Sequence, residues 1–202
     1  QPGDRGPSWP TTIGRAKDSL RSRDAGPVDL FRCESILLKS HWVMVIMDQY
    51  SRRIIGFAVH AGNVDGPALY RMFNDATSRQ GWPKRISSDN NPLFQYHQWK
   101  ANLRVLDIEE IKSLPHVPMS HPFVERLIGS ARRELLDKTL LWTATDMENQ
   151  LREYQTFYNE HRCHAGRVGA TPVSSDSGKV VGINSYRWKE HCRRLFQLPV
   201  AV

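Results

Sequence analysis

The chain predicts an α/β domain built on a mixed sheet, and three observations carry that prediction. Trp42 to Met47 is an unbroken apolar run, rich in β-branched residues, as suits a strand buried on both faces. It is flanked by two further strand-like segments with only short turns between them. Beyond His60 the apolar pattern changes, and helical periods alternate with short strands. Strands arranged as a meander and then alternating with helices imply a mixed sheet with helices packed against it.

The elements follow in order. Val28 to Cys33 and Ile36 to Leu38 read as strand, either one long strand or two halves around Glu34 and Ser35. The second strand is Trp42 to Met47. Asp48-Gln49-Tyr50-Ser51-Arg52-Arg53 turns the chain, and Ile54 to His60 returns antiparallel to the second strand. Asp65-Gly66-Pro67 opens a helix with apolar positions Leu69, Met72, Phe73 and Ala76, closed by Gly81 and Pro83. Arg85 to Ser88 is a short strand. Pro92 to Leu103 is a helix or helical turn with Tyr96, Trp99 and Leu103 on one side, and Ile108 to Leu114 is the last strand of the sheet.

Ser120 to Asp137 predicts the next helix. Pro122 suits a first helical position, and Leu127, Ile128, Ala131, Leu135 and Leu136 recur at helical spacing as a buried face. Glu125 falls in the first turn, where the helix dipole favours a carboxylate. Gly129 and Arg132 follow along the same side, giving an acid, a gap in side-chain bulk and a cation. A final helix is expected from Thr145-Asp146-Met147-Glu148, read as a capping box, with a face of Met147, Leu151, Tyr154, Tyr158 and His161. After Gly166 the chain is rich in Gly, Ser and Pro, and ends in a basic, aromatic stretch from Tyr186 to Phe196.

Composition sets the outer bounds. The 202 residues fit one sizeable domain with extensions, and 40% hydrophobic with 24% charged residues is a soluble globular balance. No apolar run approaches the roughly 20 residues of a membrane span, and no signal peptide opens the chain. The first residue is not Met, as expected of a fragment or processed product. Three cysteines, Cys33, Cys163 and Cys192, are odd in number and widely spread, which argues for a reducing compartment. A net charge of +7 points to a polyanionic partner, nucleic acid or an anionic surface.

Three acids do not fit their elements. Asp29 interrupts Val-Asp-Leu-Phe, where strand propensity disfavours Asp and burial is costly without a partner. Asp89 ends a strand at the carboxyl edge, where open α/β sheets place their sites. Glu125 begins a helix. Each also has a structural reading, as an edge-strand charge, a turn-former and a dipole partner. Converging carboxylates repel unless cations lie between them, and hard cations prefer oxygen ligands.

Asp29, Asp89 and Glu125, with 35 residues between the last two, resemble the D,D-35-E pattern of the retroviral integrase and transposase superfamily. The words Val28-Asp29-Leu30-Phe31, Val45 to Gly56, Ser88-Asp89-Asn90, His121 to Arg126 and Arg132-Arg133-Glu134 resemble the integrase core of bacterial insertion-sequence transposases. Tyr158-Asn159-Glu160-His161-Arg162, then His164 and Thr171-Pro172, resemble the close of that core. The resemblance divides the chain into a basic arm or linker over 1–23, a core over 24–172 and a C-terminal tail over 173–202. It implies a ribonuclease-H-like fold with a five-stranded mixed sheet, whose first three strands are antiparallel.

The resemblance also implies a function. Asp29, Asp89 and Glu125 would be the catalytic residues and would hold two Mg²⁺ (or Mn²⁺) ions for DNA end nicking and strand transfer. The partners would be element-end and target DNA and further copies of the chain, in the bacterial cytoplasm at the nucleoid, with no membrane. Arg126, Arg132, Arg133 and Lys138 are candidate DNA contacts, Arg132 first because it shares the Glu125 face. The alternative is a catalytically inactive, DNA-binding or oligomerising remnant of a transposase. A ribonuclease-H-like nuclease with other substrates fits the flanking words less well.

Other residues are read as structural. Asp48 is taken as a turn-former, Glu134 as the partner of a nearby Arg or Lys, and Trp42, Trp82 and Trp99 as core or partly buried aromatics. His161, Cys163 and His164 lack a matching second ligand pair, so a structural zinc is not expected there. Two local departures from the family pattern stand out. Asn91 replaces a glycine, which Asn can tolerate in a left-handed turn. Ala165 to Gly169 replaces a more usual Ser-Ser-Leu-containing run. Gln1 to Pro27 is also too short and irregular to supply the usual N-terminal helix-turn-helix.

Overall fold

A computed structural model describes residues 26–112, 122–163, 171–173 and 186–201. The readings of Gln1 to Asp24, His164 and Ala165 to Gly169 lie outside those residues. The first three strands are β1 (Gly26–Glu34), β2 (Ser40–Met47) and β3 (Ile54–Ala61). Helix α1 (Gly66–Thr77), β4 (Arg85–Ser88), a 3-10 turn (Pro92–Gln95), α2 (His97–Val105) and β5 (Glu109–Lys112) follow. Then come α3 (Pro122–Ala131), α4 (Ala144–His161) and a hairpin of β6 (Tyr186–His191) and β7 (Phe196–Ala201).

Strands β1 to β5 form one sheet in the order β3-β2-β1-β4-β5. The β1–β2 and β2–β3 pairs are antiparallel, and β1–β4 and β4–β5 are parallel. This is the five-stranded mixed sheet expected. Ile36 to Leu38 is not strand. It belongs to the β1–β2 turn, which Ser35 N–H closes on the Lys39 carbonyl at 3.0 Å and in which Leu38 takes φ 56°.

Side chains alternate across the sheet and feed two cores. Val28, Leu30, Met44, Ile46 and Ala58 pack under α1 and α2. Phe31, Cys33, Val43, Val45, Met47 and Phe57 pack under α3 and α4. The result is three layers, helices on both faces of the sheet. Gly56 is what allows α1 to lie so close to β3. A Cβ there would stand 1.9 Å from the Ala76 carbonyl oxygen, a backbone atom that cannot turn aside.

Several boundaries differ from the sequence reading, each for a local reason. Tyr96 does not join Trp99 and Leu103 inside. Extended backbone at Tyr96 (φ −56°, ψ 137°) separates the 3-10 turn from α2, and Phe94 takes the buried place instead. Helix α4 starts two residues earlier than expected. Thr143 is its cap, with Oγ1 accepting Asp146 N–H at 3.1 Å while Asp146 Oδ2 accepts Trp142 N–H at 3.2 Å. The predicted face of α4 is otherwise as read, with Met147, Leu151, Tyr154 and Tyr158 buried.

Helix α3 begins at Pro122 as expected but does not run to Asp137 as one α-helix. It widens into a π-helical turn over Arg132–Leu136, in which Leu135 and Leu136 are both buried. Val124, unflagged in the sequence, is fully buried with Leu127 and Ala131, and Ile128 packs against them half-buried. The C-terminal stretch forms the β6–β7 hairpin, which packs on α4 through Phe196, stacked on Phe157 with ring centroids 4.0 Å apart.

Candidate active site

Two of the three acids sit side by side because β1 and β4 run parallel. The last paired residues are Val28 and Ser88, so the next residue on each chain is an aspartate, Asp29 and Asp89. Val28 and Leu30 belong to the α1–α2 core and Phe31 to the α3–α4 core, so alternation puts Asp29 on the face that α3 covers. Glu125 lies in the first turn of α3, exposed.

Electrostatics tie the three together. Asp29 is half-buried, and its pKa is pushed up to about 6, first by burial and then by the charges of Asp89 and Glu125. A hydrogen bond from Leu30 N–H to Asp29 Oδ1 at 2.7 Å works in the opposite direction. The carboxylates thus feel one another across strand, strand end and helix.

Asp89 is held by its surroundings. Its Oδ1 accepts Asn91 N–H at 3.1 Å, and Asn91 Oδ1 in turn accepts Leu93 N–H at 3.0 Å, capping the 3-10 turn. Asn91 has φ −58°, so this position needs no left-handed backbone and the replacement of glycine costs nothing there. One residue back, Ser88 Oγ donates to Glu110 Oε1 at 2.7 Å, and Trp99 Nε1 donates to the same oxygen at 3.0 Å. Ser88 and Trp99 are fully buried, so Glu110 pins the end of β4 from inside. Nothing in the sequence reading marked Glu110. Its only signal was an acid inside a short strand.

Among the described residues, no group of three or more His, Cys, Asp or Glu side chains is placed to hold a metal ion as the side chains lie. The donor set nevertheless fits a hard divalent cation. It offers carboxylate oxygens only, the charges of Asp89 and Glu125 raise the proton affinity of Asp29, and a cation between them would relieve both burial and repulsion.

The basic residues of α3 are placed less as expected. Arg132 does not extend freely along the Glu125 face. Its Nη2 donates to the Arg32 carbonyl of β1 at 2.6 Å, and its guanidinium lies over Phe31, 5.1 Å from the ring centroid. Nor is Gly129 an open gap, since the Arg133 guanidinium lies 3.1 Å from where a Cβ would be. Arg126, Arg133 and Lys138 are exposed. Arg52, in the β2–β3 turn, lies over the ring of Phe123 at the start of α3.

The structural readings of the remaining polar residues hold. Asp48 is buried and shapes the β2–β3 turn, accepting Tyr50 N–H at 3.0 Å and Ser51 Oγ at 2.6 Å. Glu134 pairs with Arg162, much farther along the chain than the nearby partner expected, and also accepts Tyr154 Oη at 3.0 Å. Trp99 is core, Trp42 is half-buried, and Trp82 is 50% exposed, more open than expected.

Residues 106–172 match the integrase core domain. That segment holds Glu125 and the residues Tyr158 to Arg162 at the end of α4, and it begins after Asp29 and Asp89. An uncharacterized 39.2 kDa protein of insertion element IS476 from Xanthomonas euvesicatoria is 24% identical over 127 residues, 62% of this chain and 36% of that protein. The chain therefore spans about a third of the length of the curated relative it matches.

Solved integrase cores share the fold. The HTLV-2 integrase catalytic core domain, solved with magnesium as a dimer, matches with a TM-score of 0.57 at 18% identity, covering 75% of this chain and 94% of that one. The integrase of a simian T-cell lymphotropic virus intasome, in complex with PP2A regulatory subunit B56 gamma, matches at 0.58 and 16% identity, covering 82% and 62%. The resemblance to the integrase and transposase superfamily is borne out, and the fold is ribonuclease-H-like. Among the described residues no helix is long and apolar enough to cross a membrane.

Proposed function

We propose that this chain is the catalytic core of a transposase or integrase that nicks DNA at an element's ends and joins those ends to a target. What carries the proposal is the placement of Asp29 and Asp89 as neighbours on parallel strands, with Glu125 close enough for its charge to act on Asp29. The integrase-core match over 106–172 supports the reaction class. The HTLV-2 core, solved with magnesium as a dimer, supports a divalent ion and assembly of more than one copy.

In this reading Asp29, Asp89 and Glu125 would hold two Mg²⁺ (or Mn²⁺) ions. When bound, such ions supply activation of the attacking oxygen and charge neutralisation at the leaving oxygen of an in-line phosphoryl displacement. The chain's own part is positioning. Parallel pairing of β1 and β4 fixes the two aspartates as neighbours, and Glu110 holds the β4 end through Ser88 and Trp99. Glu125, exposed on α3, completes the set from the side open to DNA. With water as nucleophile, one P–O bond of the phosphodiester forms as another breaks and a 3′-hydroxyl is released. With that 3′-hydroxyl as nucleophile, the same exchange joins it to target DNA. Arg126, Arg133 and Lys138 are the phosphate contacts proposed on the exposed side, and Arg132 acts by tying α3 to β1.

The test is Mg²⁺- or Mn²⁺-dependent cutting and joining of end DNA by the full chain, with Asp89→Asn as the comparison. Activity lost on substitution supports the catalytic reading. Equal activity in the variant would overturn the role of Asp89, and DNA binding without any cutting by the unsubstituted protein favours the non-catalytic remnant.

A further inference from the structure

The β6–β7 hairpin brings to α4 a partner that its sequence neighbourhood lacked. His191, at the end of β6, faces His161, at the end of α4, with ring centroids 5.2 Å apart and planes inclined at 59°. The Nε2 atoms of both rings are buried, and neither has a hydrogen-bond partner. His191 is only 8% exposed. Phe157 stands beside both rings, at 6.3 Å from His161 and 6.1 Å from His191, so the pair is walled by an aromatic side chain that offers no hydrogen bond. Glu160 brings a half-exposed carboxylate to 3.7 Å from His161 Nε2.

Two orphan imidazole nitrogens in one buried place cost free energy unless something binds both. A hydrogen bond between the two nitrogens would satisfy both, one as donor and the other as acceptor, but none is formed. A tetrahedral zinc-like ion with nitrogen ligands at roughly 2.0–2.1 Å sets two imidazole centroids about 5 Å apart. That is the separation observed here. We propose that His161 and His191 form a binding site for a borderline-soft divalent transition ion of the Zn²⁺ type, which staples the C-terminal hairpin to α4. Among the described residues no third ligating side chain is close enough to complete the set as it lies, so the remaining positions fall to Glu160, by a turn of its side chain, and to water.

Two imidazole nitrogens suit such an ion better than a hard one. Burial and the facing His161 hold His191 below the usual imidazole pKa. Lys189 adds to that effect, while Glu160 and Glu153 oppose it. Burial and Glu153 push the thiol of Cys192, next in the chain, up to about 12. The site is separate from the carboxylate cluster, whose all-oxygen donors select hard cations. It does not rest on the proposed catalytic activity.

The experiment is titration of the full chain with Zn²⁺ and with Co²⁺, followed by calorimetry and by the ligand-field absorption of bound Co²⁺. With excess Mg²⁺ present to occupy the carboxylate cluster, one equivalent is expected to bind. His161→Gln and His191→Gln should each weaken it at least tenfold, and an Asp29→Asn, Asp89→Asn double variant should leave it unchanged. Because a histidine variant could loosen the hairpin, the imidazole ¹⁵N resonances of the unsubstituted protein give a second reading. Those of His161 and His191 should shift together with added Zn²⁺. No bound equivalent, binding that survives both histidine variants, binding lost in the aspartate variant, or unmoved His161 and His191 resonances would each overturn the proposal.

Discussion

Two places in the α3–α4 half of this molecule treat polar groups in opposite ways. Where α4 crosses the start of β3, the backbone polar groups of Ile54 are matched. Asn159 Oδ1 accepts Ile54 N–H at 2.8 Å and its Nδ2 donates to the Ile54 carbonyl at 2.9 Å, replacing a strand neighbour that edge strand β3 does not have. Gln155 adds bonds to the carbonyls of Ile54 and Ile55, and Glu134, Arg162 and Tyr154 close a second set. At the carboxylate cluster the reverse holds. Asp29 is half-buried beside two more acids, and the fold raises its proton affinity instead of pairing it. The first arrangement stabilises the fold, and the second costs stability and creates an affinity for cations.

The largest effect that tests this contrast is on chemistry. Asp89→Asn keeps an Oδ1 acceptor for Asn91 N–H, so the turn survives while a charge is removed. Metal-dependent cutting should fall by more than the roughly 10–100-fold typical of outer-shell partners of a metal site, with the melting temperature unlowered. Gel assays on end DNA beside thermal melts check both halves.

Next is the matched seam. Asn159→Leu fills similar space but leaves the buried Ile54 N–H without a partner and weakens the cover of its carbonyl. At about 1–3 kcal/mol for each orphaned group, denaturant titration should show a loss on the order of 3 kcal/mol. Activity per folded molecule should be little changed, because Asn159 belongs to the seam and not to the cluster.

Asp29→Asn should act in the opposite sense. The Asp29 pKa in the folded chain, about 6, lies above the ordinary 3.8 of an unfolded chain, so folding favours the protonated acid. That contribution is present below about pH 4 and is lost as pH rises through about 6. Above it, the ionised carboxylate weighs against folding. At pH 7 the asparagine variant should therefore be more stable than the unsubstituted protein, by about 1–3 kcal/mol, with the gap closing toward pH 4. Added Mg²⁺ should raise the melting temperature of the unsubstituted protein and leave the variant nearly unmoved. A variant less stable at pH 7 would mean that Asp29 is a structural residue.

Much of this was legible in the residues, for physical reasons. The β2 run has no polar position, and that already demands helices on both faces. Asp29 stood out because an acid inside Val-Asp-Leu-Phe has no cheap structural explanation. What stayed hidden depends on tertiary contacts. Glu110 is marked by a serine and a tryptophan 22 and 11 residues away, and Asn159 by a strand 105 residues back. His191 acquired its partner only when the hairpin folded onto α4. The α3 face was misread where the helix widens to a π turn, because 3.6-residue periodicity ceases to apply there and Arg132 is drawn to β1.

The smallest expected effect separates pairing from burial within the matched seam. Glu134 and Arg162 are each only about 26–30% exposed, and Tyr154 Oη shares the carboxylate. Burial alone would lower the Arg162 pKa, yet the bond to Glu134 raises it, so attraction outweighs desolvation at this pair. Glu134→Gln keeps an acceptor for Tyr154 but removes the charge facing Arg162, and should cost about 1 kcal/mol, most of it from the uncompensated guanidinium. Replacing the partner as well, with Arg162→Met, should return part of that loss, because no buried charge is then left alone. A double-mutant cycle by denaturant titration measures the coupling directly. Coupling near zero would mean that the pair is held by its neighbours and contributes geometry only. A positive coupling of about 1 kcal/mol would place it with Asn159, as a polar contact the fold satisfies, in contrast to the acids at the carboxylate cluster that it leaves unpaired.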